Sequence, residues 1–264
     1  MGKVVIFLIG LAVAMAAGPA STTGAEKTGA LALDDLVKYF DTIVFHSEFE
    51  SVQPSRVIKK WTGPIRLAFR AFEEVVTEKE GREITRLKQV QVKKQHLKYI
   101  KKHLNTLVRA TGLKTEDAKE TGEPPNFMIN FVPRRQLGNP NLAEADPKVL
   151  RSRAAEGGCY FLMWFNSKSG TILKAVIIVN AELLLIRLNH CLLEEMVQVL
   201  GLPNDSNAIK KSIFSDSSGH TNLTRTDLII LKTLYDPRMK AGTPREQALK
   251  MAREIIAELN STLP

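Results

Sequence analysis

One predicted helix limits the fold of this chain more than any other feature of its sequence. Residues 190–200 place apolar side chains along a broad helical stripe, and Gly201, soon followed by a proline, is typical of a helix end. This pattern predicts a buried helix. Its centre nevertheless carries two carboxylates and an amide, from Glu194, Glu195 and Gln198. Because an unpaired buried carboxylate is costly, these side chains need hydrogen-bonding partners or a ligand.

The spacing of these polar residues resembles a metal site. Glu194 and Gln198 are four residues apart and share one helix face, which is how a helix presents two side chains to one ligand. They stand where the HExxH helix of zinc peptidases has its histidine ligands, and Glu195 stands at the general-base position. The resemblance implies metal ligands at Glu194 and Gln198 and a catalytic base at Glu195.

The resemblance to one branch of these enzymes, the metzincins, continues past the helix. Their motif extends to a glycine and a third ligand, and here Gly201 is followed at that distance by Asn204 or Asp205. Residues 212–214, Ser-Ile-Phe, look like the Ser-Ile-Met of matrixins. Residues 223–235 look like the closing Leu-Thr-x-x-Asp helix of the same enzymes.

A more specific resemblance is to a bacterial envelope family, domain-of-unknown-function family 2927. Its signature is similar to residues 190–205, then 212–214, then 234–242. It is weaker between residues 57 and 180 and brings no established activity. The resemblance implies an α+β fold of the zincin-like, metzincin type. We expect a single domain over residues 57–264, with a mixed sheet backed by a long helix, the motif helix and C-terminal helices.

The ligands that this resemblance implies differ from those of a zinc peptidase. Glu194, Gln198 and Asp205 would supply only oxygen atoms, which suit calcium, magnesium or manganese better than zinc. His190 lies four residues before Glu194 and could add a nitrogen ligand, or it could cap the helix. The cofactor therefore stays open, with zinc, calcium or manganese as candidate divalent metals.

A structural explanation of the same residues is equally open. Buried carboxylates and amides can form a hydrogen-bonded cluster without any ligand. The donors would then come from Arg225, Arg238 or the backbone amides of residues 212–215.

The N-terminus has the layout of a secretory signal peptide. A lysine precedes an apolar run over residues 4–14, and small residues follow, which predicts a signal peptide at residues 1–20. The run is shorter than the roughly 20 residues that span a membrane, so we expect cleavage and not a retained anchor. Because no second apolar run is long enough to span a membrane, we expect no membrane span after cleavage. Residues 21–56 should form an N-terminal tail and an amphipathic helix. The mature chain is expected outside the cytoplasm, periplasmic or secreted in a bacterium.

The predicted export bears on the oxidation state of the two cysteines. Cys159 and Cys191 are the only ones, and an even count in an oxidising compartment favours one disulfide. Two buried free thiols are the alternative.

Basic residues concentrate in a segment that the apolar spacing predicts as one long helix, residues 75–109. They account for much of the net charge of +9. Such a stripe can bind an anionic polymer or be a solvated helix face. Because no nucleic-acid motif accompanies it and the chain is predicted to be exported, nucleic acid is not an expected partner. These residues are Arg86, Lys88, Lys93, Lys94, Lys98, Lys101, Lys102 and Arg109.

The other segments complete an α+β pattern. Alternating apolar residues predict strands at residues 58–69 and 126–132, and largely apolar runs predict strands at residues 159–165 and 172–179, the last two as a hairpin at the sheet edge. Residues 115–125 read as a loop. A helix over 222–235 is predicted to be capped by Thr224 with Asp227 at the capping-box position, and residues 243–259 form a final helix.

Three functions are compatible with these features. The first is an exported, non-catalytic protein that binds a peptide or protein in the former substrate groove, since both histidine ligands are replaced. The second is an active metal-dependent hydrolase with Glu195 as general base. The third is a binder of anionic envelope polymer through the basic helix. The sequence leaves the substrate, the partner and the oligomeric state open.

Overall fold

The computed structural model describes residues 31–46, 53–79, 82–155 and 158–263. The predicted signal peptide, residues 1–20, lies outside the described residues. In the part of the chain that is described, a mixed sheet packs with helices, which confirms the predicted α+β class. No helix in these described ranges has the length and apolar character needed to cross a bilayer.

The sheet combines parallel and antiparallel pairs. Its strands are β1 (Ile65–Lys79), β2 (Arg82–Val90), β3 (Thr115–Asp117), β4 (Phe127–Val132), β5 (Cys159–Phe165) and β6 (Ile172–Asn180). They lie in the order β2, β1, β4, β6, β5, and β3 pairs separately with β1. The pairs β1 with β4 and β4 with β6 are parallel, whereas both outer pairs, β1 with β2 and β5 with β6, are antiparallel. The predicted hairpin of β5 and β6 is therefore confirmed.

The helices follow the sequence pattern closely at the C-terminal end. Their bounds are α1 (Leu33–Phe45), α2 (Lys94–Thr111), α3 (Ala118–Thr121), α4 (Pro147–Ala154), α5 (Leu185–Gln198), α6 (Arg225–Tyr235) and α7 (Arg245–Thr262). The predicted capping box of α6 is present, because Thr224 and Asp227 exchange side-chain to backbone hydrogen bonds. Helix α1 packs against α7 and buries Leu36 and Phe40 in the same core.

The long helix predicted over residues 75–109 is wrong in its first half. Residues 75–79 belong to β1 and residues 82–90 to β2, these strands pair in antiparallel register, and α2 begins only at Lys94. Val75 and Val76 are β-branched and favour a strand, but the charged residues between the apolar ones imitate a helical period. The antiparallel pairing of β1 with β2 decides in favour of the strand pattern over the helical one. The predicted loop at residues 115–125 also contains β3 and α3.

The core lies on both faces of the sheet. On one face, β4 and β6 pack with α1, α2, α5, α6 and α7 in the larger cluster of buried apolar residues. On the other face, a smaller cluster joins β4, β5 and β6 to α4 and the turns around Leu137 and Leu142. Since both faces are covered, every residue of β4 is buried, and all of them except Asn130 are apolar. Helix α5 is thereby fixed against the sheet.

Candidate ligand-binding cleft

A cleft of about 750 Å³ opens beside α5. It lies where β4 and β6 end and β5 begins, because Arg134, Asn180 and Cys159 all contribute to its wall. The volume is in the range of pockets that hold small molecules or short peptide segments. Its lining consists of Arg134, Arg153, Gly158, Cys159, Tyr160, Phe161, Asn180, Glu182, Leu183, Leu184, Arg187, His190, Cys191, Glu194, Glu195, Gln198, Asp205, Asp216 and Ser218.

Helix α5 divides its residues between the core and the cleft. Leu188, Leu192 and Met196 are fully buried and share the core-facing side. The cleft-facing side carries polar residues at helical spacing: Arg187, His190, Glu194 and Gln198. The helix starts at Leu185, earlier than the predicted start at residues 189–190, and this extra turn brings Arg187 to the site.

The C-terminal end of α5 is held by backbone contacts. The indole Nε1 of Trp61 donates to the carbonyl of Val199 at 2.9 Å, and the hydroxyl of Tyr235 donates to the carbonyl of Leu200 at 2.8 Å. Gly201 has a φ of +108°, and a Cβ there would overlap the carbonyl oxygen of Lys59. Only glycine fits this position, so the predicted stop at Gly201 has both a conformational and a steric cause.

His190 and Glu194 form a pair on the cleft wall. The Nε2 atom of His190 lies 3.5 Å from an Oε atom of Glu194, and its Nδ1 atom lies 2.7 Å from the carbonyl oxygen of His220. Because a carbonyl can only accept, Nδ1 carries a proton and donates it there. The ring is thus oriented with Nε2 toward Glu194, and the two side chains are 13% and 19% exposed. Helix α5 begins at Leu185, so His190 does not cap it and is bonded to a loop carbonyl, while its role as a metal ligand stays a prediction.

Gln198 and Asp205 form a second pair. The amide Nε2 of Gln198 donates to a carboxylate oxygen of Asp205 at 2.7 Å, and both residues line the cleft. Asn204 instead donates to the carbonyl of Thr42 in α1 and is buried. Of the two residues at the predicted third-ligand position, Asp205 is therefore the one beside Gln198.

Glu195 reaches the cleft although it is only 6% exposed. It lies between the core-facing and the cleft-facing sides of α5, next to Glu194. A carboxylate so far from bulk water has a strong influence on what can bind beside it. The structure places all four predicted metal ligands and the predicted base in one cleft wall.

The predicted ligands are close together but do not form an assembled metal site in the described ranges. Within the described ranges, no group of three or more His, Cys, Asp or Glu side chains is placed to hold a metal ion. The amide nitrogen of Gln198 donates to Asp205, so one carboxylate oxygen of Asp205 accepts a hydrogen bond from another predicted ligand. Metal binding by His190, Glu194, Gln198 and Asp205 stays a prediction, and no reaction step is derived through a metal.

The disulfide between Cys159 and Cys191 is confirmed, with Cα atoms 6.2 Å apart. It joins the first residue of β5 to the middle of α5, and both cysteines line the cleft. The two walls of the cleft are therefore linked covalently. Such bonds persist in oxidising compartments, so the disulfide is compatible with export.

Strand β5 is the last strand of the sheet on this side, within the part of the chain that the structure describes. The N–H of Asn180 donates to the carbonyl of Gly158 at 3.0 Å, and bonded and non-bonded pairs alternate along an antiparallel ladder. Tyr160 therefore bonds to β6. Phe161 and Met163 turn their backbone N–H and C=O groups to the open side.

An apolar rim, which we define as Leu184, Leu185 and Ile186, borders the cleft at the start of α5. These three consecutive side chains are 75%, 51% and 63% exposed. Leu184 also lines the cleft. Adjacent exposed apolar residues at the mouth of a pocket are typical of an interaction surface.

A second polar group, the closed cluster, comprises Tyr39, Ser212, Thr224 and Asp227. The Ser212 hydroxyl donates to Asp227 at 2.5 Å, and the Tyr39 hydroxyl donates to Ser212 at 2.8 Å. Asp227 also accepts from the backbone N–H groups of Ile213 and Thr224. Burial raises the pKa of Asp227, while the hydrogen bonds from Ser212, Thr224 and Ile213 lower it.

The structural explanation of the motif predicted the wrong donors. Arg225 donates to Asn260 and to the carbonyl of Leu263, and Arg238 is paired with Asp236 and Glu258. These contacts tie α6 and the turn after it to α7. The N–H of Ile213 donates to Asp227 instead of to the motif helix.

The sequence interpretation missed the arginines of the cleft, Arg134, Arg153 and Arg187. Arg187 precedes His190 by three residues and Glu194 by seven, so helical spacing alone could have placed it on the same face. Arg134 follows a buried strand, but its position depends on β4 being parallel to β6, which local sequence does not reveal.

Comparisons with known proteins agree with the resemblance read from the motif. No curated protein and no solved structure matches the chain. Residues 34–254 match the family model described as "Protein of unknown function (DUF2927)". The match includes the cleft residues named above and most of the described fold, and so this chain belongs to that family.

Proposed function

We propose that this protein binds an extended segment of a peptide or protein in the cleft, outside the cytoplasm and without a catalytic reaction. The observation that carries the proposal is the open edge of β5 beside a cleft of about 750 Å³. A strand edge with unpaired backbone groups is a template for an added strand. A zincin-like fold would place its substrate at the same edge.

The backbone of β5 supplies the first part of the binding energy. Phe161 and Met163 each offer an N–H and a C=O to an incoming strand, in the alternation derived above. Such main-chain bonds hold the ligand in register but do not select its sequence.

Selection among ligands comes from the side chains around the edge. The apolar rim offers exposed surface to an apolar ligand residue, because burying such surface on both partners is favourable. The polar wall offers the carboxylates of Glu182 and Asp216 and the guanidinium groups of Arg134 and Arg187. We therefore expect a ligand with apolar and charged residues in alternation.

The disulfide supports a binding site that is formed before the ligand arrives. It links β5 to α5 across the cleft, so less conformational freedom is lost when a ligand is bound. This preorganisation is useful for binding whether or not a reaction follows.

The experiment compares two substitutions of one residue, Phe161→Pro and Phe161→Ala. Both remove the aromatic side chain, and only proline removes the outward N–H, which an edge strand tolerates. Peptides are selected from a random phage-displayed library on the native protein, and their affinities are measured by fluorescence anisotropy. We expect Phe161→Pro to bind about tenfold more weakly than Phe161→Ala, the loss of about one hydrogen bond.

Two results would contradict the proposal. One is a library that yields no peptide for the native, disulfide-bonded protein. The other is equal affinity of Phe161→Pro and Phe161→Ala for every selected peptide, with both variants folded by circular dichroism. In that case the ligand would not pair with the edge of β5.

A further inference from the structure

The outer face of α2 carries a row of cations, none of which lines the cleft. We define the basic stripe as Lys94, Lys98, Lys101, Lys102 and Arg109, all of which are exposed. Their spacing along a helix of 3.6 residues per turn confines them to an arc of about 100°. The stripe therefore lies on one side of the helix, and the buried residues lie on the other.

The opposite face of α2 is fixed to the protein. Ile100 and Leu107 are buried in the core, and His103 Nε2 lies 2.8 Å from the side-chain oxygen of Asn189 in α5. Lys102 also donates to the carbonyl of Thr221 at 2.9 Å. The helix is thus a rigid support, and the row of charges does not depend on a flexible segment.

The charge of the stripe is not balanced locally. Helix α2 contains neither aspartate nor glutamate. In the described ranges, no carboxylate lies within 4.0 Å, the distance limit of an ion pair, of an amino or guanidinium group of the stripe. Unpaired cations in a row repel one another, and an anionic ligand relieves this repulsion.

We propose that the basic stripe binds a linear polyanion, a polymer that carries phosphate, sulfate or carboxylate groups at regular intervals. With a rise of about 1.5 Å per residue, the stripe extends about 22 Å from Lys94 to Arg109. A single small anion would contact only part of it. A polymer chain laid along the helix contacts all of it.

The structure favours a polymer over a membrane surface. A helix that inserts into a bilayer interface turns its apolar face outward, toward the lipid. Here the apolar face of α2 points into the core, and Leu97, 40% exposed, is its large apolar residue at the surface. The stripe therefore offers charge without an apolar wedge.

The test uses a stripe variant and a charge-matched control. The stripe variant combines Lys94→Gln, Lys98→Gln, Lys101→Gln and Arg109→Gln. The control combines Lys148→Gln, Lys168→Gln, Lys210→Gln and Lys211→Gln, which are exposed residues outside α2. Both variants lose the same formal charge, so a difference between them reports position and not net charge.

Affinities for long-chain polyphosphate and for dextran sulfate are measured at several salt concentrations. We expect the stripe variant to bind at least tenfold more weakly than the control at low salt, and to show a smaller salt dependence. Equal losses in the two variants would overturn the proposal, since net charge alone would then explain binding. Vesicles of phosphatidylglycerol form a third arm, and binding to vesicles without binding to either polymer would overturn it as well. Circular dichroism of both variants checks the fold.

Discussion

Two polar groups in this molecule come from the same motif and yet have opposite character. In the closed cluster, Tyr39, Ser212 and Asp227 are buried and Thr224 is partly buried, and the Asp227 carboxylate accepts from Ser212, Thr224 and Ile213. The group on α5, which we call the open cluster, consists of His190, Glu194, Glu195, Gln198 and Asp205 and lines a cleft. The closed cluster contains one carboxylate and the open cluster contains three, and the resemblance to metzincins singled out residues of both.

The difference in surroundings indicates which of the two groups can bind a ligand. Buried polar groups that satisfy one another and exclude water stabilise a fold, and the closed cluster joins α1, the Ser212–Phe214 segment and α6 in this way. Polar groups that face a cleft of about 750 Å³ have retained access to a ligand.

The largest effect is expected from Asp227→Ala in the closed cluster. The change leaves the Ile213 N–H and the Ser212 hydroxyl without their acceptor inside the core, at about 1–3 kcal/mol for each unsatisfied group. We expect the free energy of unfolding in urea to fall by about 4 kcal/mol. The control is Glu194→Gln in the open cluster, for which we expect a loss below about 1 kcal/mol. Similar losses in both variants would remove the distinction between the clusters.

The second effect concerns the disulfide that links the two walls of the cleft beside the open cluster. It closes a loop between residues 32 apart in sequence, and its removal by Cys159→Ala with Cys191→Ala should cost about 3 kcal/mol of stability. Denaturant unfolding measures this loss. The same variant should also bind selected peptides more weakly, because the cleft is no longer preorganised. Unchanged affinity would show that the disulfide stabilises the fold without shaping the site.

The third effect is a loss of stability in acid. Burial lowers the pKa of His96 and of His103, the residue that joins α2 to α5. The unfolded chain therefore takes up protons below about pH 6.5 that the folded chain refuses, and stability falls as the pH falls through that window. Each histidine can lower the free energy of unfolding by at most about 1.4 kcal/mol for each pH unit of that window.

A substitution tests the assignment to these histidines. His96 stacks on Phe131 with ring centroids 4.5 Å apart, and its Nδ1 has no hydrogen-bond partner among the described residues. His96→Phe should keep the stacking and flatten the stability curve between neutral and acid pH. The control is His46→Gln, because the side chain of His46 is 43% exposed. An equally flat curve in this control would contradict the assignment.

The smallest structural effect, and the sharpest functional one, is expected from Glu195→Gln. If the open cluster only binds, the variant should stay folded, and its affinity for selected peptides should change by less than about threefold, or 0.7 kcal/mol. If Glu195 is a general base, any hydrolysis of those peptides by the native protein should be lost in the variant. Mass spectrometry of the incubated peptides detects hydrolysis and so distinguishes a binding protein from a hydrolase.

Elemental analysis completes this test. The mature protein is purified without chelator or metal-affinity tag, beside a Glu194→Ala variant. A stoichiometric metal in the native protein that is absent from the variant would favour the hydrolase over the binding protein. A metal content below stoichiometry in both the native protein and the variant would agree with a protein that binds its ligand without catalysis.

Local sequence predicted those elements whose pattern has one meaning. The apolar runs of β5 and β6, the capping box at Thr224 and Asp227, and the helix end before Gly201 each follow from residues close together in the chain. The disulfide was predicted from the count of cysteines and the expected compartment. The β1–β2 hairpin was missed because its charged residues fit a helical period and a strand period alike.

The pattern of residues 190–201 was enough to predict a buried helix that carries Glu194, Glu195 and Gln198 and ends before a glycine. Only the tertiary structure decided what those residues face. The carboxyl ends of β4 and β6 bring Arg134 and Glu182 to α5 from distant parts of the chain, and α1 takes Asn204 away from the cleft. The reason is physical: helical and strand periods are local, whereas strand order and helix packing are set by long-range burial of apolar surface.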